Sequence, residues 1–216
     1  KVSNASPAVS IHDNKGTIRL IDVDVHNSLG AGIQINNRGA ISLDDVTSSG
    51  NGFEGATLNN RYYHPLLLKY VFGGNIAIKN SFFDGNGYLN DGVNYPGLIV
   101  LSNGTITLNG VSASGNYGSG AEVGAYGTAL TIKNSVFSNN QDYPDLPDNG
   151  YGLVMYEGSP AIVLLENVSL NGNDSDGAFL RTTKGITINM VTASLNDLFG
   201  VRIEGFPGNV DNRAVG

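Results

Sequence analysis

Two carboxylates and a guanidinium mark where this chain could do acid–base chemistry. Glu122, Glu157 and Arg181 sit in the short apolar stretches "GAEVG", "VMYEG" and "AFLRT". A carboxyl group can pass a proton at a glycosidic bond, and a guanidinium can neutralise the charge that develops there. These three are the candidate catalytic residues. Aromatic rings are spread along the same half of each repeat: Tyr95, Tyr126, Tyr143, Tyr151, Tyr156 and Phe179. Such rings stack on the apolar faces of sugars, while Glu122 and Arg181 bond hydroxyl groups. Together these eight are the candidate ligand-binding set. A third group is acidic: Asp142, Asp145 and Asp148 in "DYPDLPDNG", with Asp174 and Asp176 in "NGNDSDG". Hard oxygen ligands converging on one edge hold Ca²⁺ when six or more donors meet. Their spacing matches no EF-hand loop and no Gly-rich nonapeptide repeat, so calcium is an open expectation beside that of no cofactor. With no Cys and three scattered His, the chain has no thiolate metal site and no disulfide framework.

Positioning these residues falls to a repeat. Strands with apolar residues two apart recur as Ile41/Leu43, Ile76/Ile78, Ile106/Leu108, Leu130/Ile132 and Val163/Leu165. Period two means a strand with one face buried. One turn position follows each: Asp22, Asp45, Asn80, Gly110, Asn134, Asn167 and Met190. Asp, Asn and Gly best tolerate a left-handed backbone, and Met190 is the exception. A second strand then points two residues inward. Where the first of that pair shrinks to Ser81 or Ser135, the second grows to Phe83 or Phe137, which holds core density constant. Six residues after the turn stands an Asn: Asn51, Asn86, Asn116, Asn140, Asn173 and Asn196. Stacked one coil above the next, these amides can bond each other in a ladder. A Gly then opens a third strand, as in Gly120 before "AEVG" and Gly177 before "AFLR".

Three short strands per coil of about 23 residues, with Asn and Gly at the corners, resemble the right-handed parallel β-helix family. Pectate lyases, polygalacturonases, phage tailspikes and many bacterial surface proteins share that architecture. The resemblance runs from about Val9 to Phe206. It implies an all-β, right-handed parallel β-helix of about seven to eight coils. It also implies a single domain over residues 1–216, with inserted loops at 61–74, 87–97 and 141–152. In the family's enzymes the third-strand sheet carries the catalytic side chains. Lyases place calcium-binding Asp and an Arg or Lys base there, and hydrolases several Asp, a His and an Arg–Lys pair. This chain has no "NTD", "GHG" or "RIK" at matching positions, and "VRIEG" has Glu204 where Lys would stand.

The outward positions of the third strand form two columns. One reads Gln34, Thr57, Ile99, Glu122, Val154, Phe179 and Arg202; the other ends in Gly124, Tyr156, Arg181 and Glu204. In this frame Glu204 stands one coil above Arg181, where it can pair with it. The expected function is non-catalytic polysaccharide binding on this Tyr-rich face, by an extracellular or cell-surface module. A structural stalk or adhesin spacer is the alternative, and a polysaccharide lyase or glycoside hydrolase the second. The net charge of −7 with no Lys/Arg run argues against nucleic acid. No apolar run approaches the ~20 residues of a membrane span. The chain reads as a segment of a larger protein, its ends covered by flanking domains or subunits, because an open sheet edge invites pairing.

Overall fold

The computed structural model describes residues 6–64, 66, 69–71, 73–88, 93–142, 149–156 and 159–205. Tyr143, Asp145, Asp148 and Glu157 therefore lie outside the described residues. Within them the chain winds as a coil whose successive turns pair in two parallel sheets, of eight and seven strands. Register is kept from coil to coil. Ile41 pairs with Ile76, Ile76 with Ile106, Ile106 with Leu130, and Leu130 with Val163. The columns expected from the alternation are thus continuous stacks, all facing one interior. Ile76, Ile106, Leu130 and Val163 are all fully buried, as are Leu43, Ile78, Leu108 and Ile132. Each such side chain contributes about 1.5–3 kcal/mol of transfer free energy. Ser81 and Ser135 are buried beside Phe83 and Phe137, as constant core density requires. Both hydroxyls are satisfied. Each accepts from a backbone N–H of the coil below, Val46 or Val111, at 3.1 Å.

One detail of the coil differs from the three-strand expectation. The first and second strands run on as one, for example Ile41–Ser49, bent at Asp45 with φ 56°. Backbone pairing survives the bend because a single left-handed residue turns the chain without breaking the ladder on either side. Every position of the expected turn column has positive φ, including Met190 at 51°. A second left-handed column has no counterpart among the sequence-based expectations. Asn27, Gly50, Gly85, Gly115, Asn139, Gly172 and Leu195 all have positive φ, and each directly precedes the Asn column or its Ser28 equivalent. Met190 and Leu195 put side chains where Asn or Gly serves in most coils, 65% and 88% exposed. A left-handed residue with a Cβ costs roughly 1–2 kcal/mol. Met190→Gly is therefore expected to gain about 1 kcal/mol in chemical denaturation, since the side chain it removes packs on little.

The Asn column is a ladder with a direction. Each Nδ2 donates to the Oδ1 of the coil above: Asn51 to Asn86 at 2.9 Å, Asn86 to Asn116 at 3.1 Å, and Asn116 to Asn140 at 3.1 Å. Asn140 to Asn173 and Asn173 to Asn196 continue it at 3.0 and 2.9 Å. Each Oδ1 also accepts the backbone N–H of the Asn below, as Asn116 does from Asn86 at 2.9 Å. The Gly before each third strand belongs to the same device. A Cβ on Gly120 would stand 2.6 Å from Asn140 Nδ2 and 2.5 Å from Ala113 O. Gly55, Gly97, Gly152 and Gly177 are crowded in the same way by Asn86, Asn116, Asn173 and Asn196. Glycine is required here for close approach, not for its dihedral freedom.

Candidate functional site

Three columns of the repeat meet around an open depression of about 220 Å³. Its floor is the outward column of the eight-stranded sheet, with Glu122 below Val154 and Val154 below Phe179. One wall is the position just before the crowded glycines, where Ser119 and Tyr151 stand in successive coils beside Asn149. Backbone bonds fix that stacking, since Gly120 N donates to Tyr151 O at 2.7 Å. The opposite wall is Tyr156 and Arg181. Strand geometry makes the floor flat and the walls regular. The chemistry comes from what the repeat leaves variable.

Glu122 is the charged group at the bottom. The Tyr156 hydroxyl donates to its Oε2. Burial pushes the Glu122 carboxyl above its usual range, while hydrogen bonds from Tyr156 and Ser119 pull it back, and the nearby Glu54 charge adds a smaller upward push. The phenol of Tyr156 is raised too, by burial first and then by the Glu122 charge, so it remains a donor. The pair is thus a carboxyl that takes up a proton more readily than an ordinary Glu, clasped by a phenol that stays a donor.

Phe179 points outward as its column demands, yet it is only 3% exposed. The guanidinium carbons of Arg181 and Arg202 lie 3.9 and 3.7 Å from its ring centroid, and Tyr151 stacks alongside at 6.1 Å. The ring is therefore a buried support for two cations and does not offer an open stacking face. Arg181 Nε lies 3.4 Å from Glu204 Oε2, the pairing expected from the columns. Arg202 instead pairs with Asp176 at 2.8 Å.

Tyr126 and Tyr95 lie beyond the depression. Tyr126 packs across Gly124, one strand position below Tyr156, with the Arg61 guanidinium 3.8 Å from its ring. Tyr95 stacks on Phe53 at 4.6 Å, holding the inserted loop to the coil beneath. The two rings are each engaged by the protein, and the structure gathers Glu122, Tyr151, Tyr156, Phe179 and Arg181 into one place. Ser119 and Asn149 join them, although neither belongs to the candidate set read from the sequence. Ser119 carried one signal, its position just ahead of the crowded Gly120.

The described members of the acidic group, Asp142, Asp174 and Asp176, each meet partners within the protein. Asp176 is fully buried; its Oδ1 accepts from Phe199 N at 3.1 Å, and its other oxygen faces Arg202. Asp174 accepts from Asp142 N at 3.1 Å. Asp142 in turn accepts from the backbone of Asn149 and Gly150. Among the described residues no group of three or more His, Asp or Glu is placed to hold a metal ion. No helix among them is long and apolar enough to cross a membrane.

Parallel coils, inward apolar stacks and an amide ladder define a β-helix, and comparison with known families agrees. The family described as "Right handed beta helix region" matches residues 7–205, and the chain belongs to it. No curated protein and no solved structure matches it.

Proposed function

We propose that this domain binds carbohydrate, with the depression over Glu122, Val154 and Phe179 as the seat for one sugar ring of a longer chain. The reading is carried by one observation: a carboxyl, a phenol, a serine, an amide and a guanidinium converge on about 220 Å³ beside the Tyr151 ring. Hydroxyl-rich ligands need that density of donors and acceptors, and an aromatic wall takes their apolar face. The volume is below the ~300–1,000 Å³ of pockets for drug-sized ligands, which suits a single ring better than a free oligomer. Binding without hydrolysis is favoured because glycoside hydrolysis uses two carboxyls ~5–10 Å apart, and the described lining holds Glu122 alone. An extracellular or surface setting, where polysaccharides are met, is part of the proposal.

Affinity electrophoresis in gels cast with neutral and acidic polysaccharides tests it. Wild-type protein should be retarded by at least one glycan. Tyr151→Ala, which removes the aromatic wall, should weaken that retardation about tenfold. Migration unaffected by every glycan, or equal retardation of the variant, would refute the proposal. A spacer role, which the regularity of the stack favours, would then take its place.

A further inference from the structure

We propose that the depression takes an anionic ring unit, which rests on the sugar-binding reading of the same site. Glu122 gates it: the protonated carboxyl admits the negative group beside Arg181, and the ionised one repels it.

The charges around the floor support this. Arg181 borders the depression and lies against Phe179, and Arg202 lies against the same ring. The Arg202 charge is matched by the buried Asp176. Arg181 meets Glu204 through a 3.4 Å contact in which the carboxylate is half exposed. Exposed pairs of that kind are weak and exchange readily for a better anion. A carboxylate or sulfate on the ligand offers a guanidinium two parallel bonds, the stronger geometry. At the other end of the same floor stands Glu122. When ionised, it faces any ligand anion across a single ring. When protonated, it offers that ligand an O–H and leaves Tyr156 and Ser119 as further polar contacts.

Which state prevails depends on the groups that face Glu122. Burial favours the protonated form, and the Glu54 charge adds to it, while the hydrogen bonds of Tyr156 and Ser119 favour the ionised form. The net result is a carboxyl that takes up its proton at higher pH than an ordinary Glu. Tyr126, Tyr151 and Arg181 complete the ionisable groups nearby. The direction is then set: as the pH falls, Glu122 takes up its proton before an ordinary exposed carboxylate does, so the floor is neutralised while a ligand carboxylate or sulfate is still ionised.

Matched polymers separate the possibilities: dextran with carboxymethyl dextran and dextran sulfate, and hydroxyethyl cellulose with carboxymethyl cellulose. Dissociation constants are measured at pH 5.5 and 8 for wild type, Glu122→Gln and Arg181→Gln. Glutamine keeps the shape of a neutral carboxyl and an acceptor for Tyr156. Wild type should bind an anionic polymer better than its neutral parent, and on the order of tenfold more tightly at the lower pH. Glu122→Gln should bind at pH 8 at least as tightly as wild type does at pH 5.5, with its pH dependence largely gone. Arg181→Gln should lose the preference for the anion at both. If carboxylate polymers show the effect and sulfates do not, the ligand group is a carboxylate; the reverse identifies a sulfate. Binding of neutral and anionic members alike, or a pH dependence that survives in Glu122→Gln, overturns the inference and leaves the sugar-binding reading standing. Failure of wild type to bind any of these or the wider glycan panel overturns both.

Discussion

Asn116→Ala should destabilise the rod by about 3–4 kcal/mol, although it removes only one amide. Two donors of the coil below, Asn86 N and Nδ2, both end on Asn116 Oδ1, at 2.9 and 3.1 Å. Asn140 Oδ1 loses the side-chain donor from below as well. All three residues are fully buried, so water cannot replace what is removed. An unsatisfied buried donor costs about 1–3 kcal/mol, and here two are created at once. The control is Asn109, whose Oδ1 accepts from Asn134 Nδ2 at 2.9 Å on the solvent side of the turn. Asn109→Ala should cost less than about 1 kcal/mol, because water takes over the freed group. Urea denaturation of both variants decides the matter. Equal losses would mean that the inner ladder adds nothing beyond an ordinary surface bond.

Gly120→Ala is the second large effect, expected at about 3 kcal/mol, the upper end of overpacking costs. The new methyl group would lie 2.5 Å from Ala113 O, 2.6 Å from Gly152 O and 2.6 Å from Asn140 Nδ2. Two of these are backbone atoms, one across the same coil and one in the coil above, and neither can swing aside. Relief would need the coils to move apart, which stretches the ladder at the same point. Gly85 supplies the contrast. Its φ is +62°, yet a Cβ there would meet nothing within 4 Å. Gly85→Ala should cost about 1 kcal/mol, from backbone strain alone. The order of the two midpoints is the test. If the open glycine proves the more sensitive, dihedral strain outweighs crowding and the account of the Gly column is wrong.

The scaffold was legible in the sequence because its causes are periodic. Alternation gave the strands, and the Asp/Asn/Gly positions gave the turn. The exchange of size between Ser81 and Phe83 exposed a shared interior. The second left-handed column is harder to see, although Gly50, Gly85, Gly115 and Gly172 mark it. Each stands next to the Asn column, whose amides are the stronger signal. The candidate site was legible only as a face. Register placed Glu122, Val154 and Phe179 in one line, and it foresaw the pairing of Arg181 with Glu204. Nothing in the alternation reveals that two arginines from neighbouring coils close over Phe179. Nor does it reveal that Asp176 folds inward to Arg202. Those outcomes depend on where long side chains lie across coils, which strand period does not encode. The aromatic signal was real but mixed, since Tyr95 and Tyr126 serve the packing while Tyr151 and Tyr156 border the depression.

The directional amide ladder has a consequence for how such a molecule can change in length. Each coil from Asn51 to Asn173 offers its upper neighbour the same donor, and each from Asn86 to Asn196 offers its lower neighbour the same acceptor, so these copies are interchangeable at their junctions. Duplicating or deleting one whole turn in the gene leaves all the joints intact, whereas a partial turn breaks them. Length thus becomes adjustable by copy number, while the depression over Glu122, Val154 and Phe179, written in a few adjacent turns, is inherited unaltered.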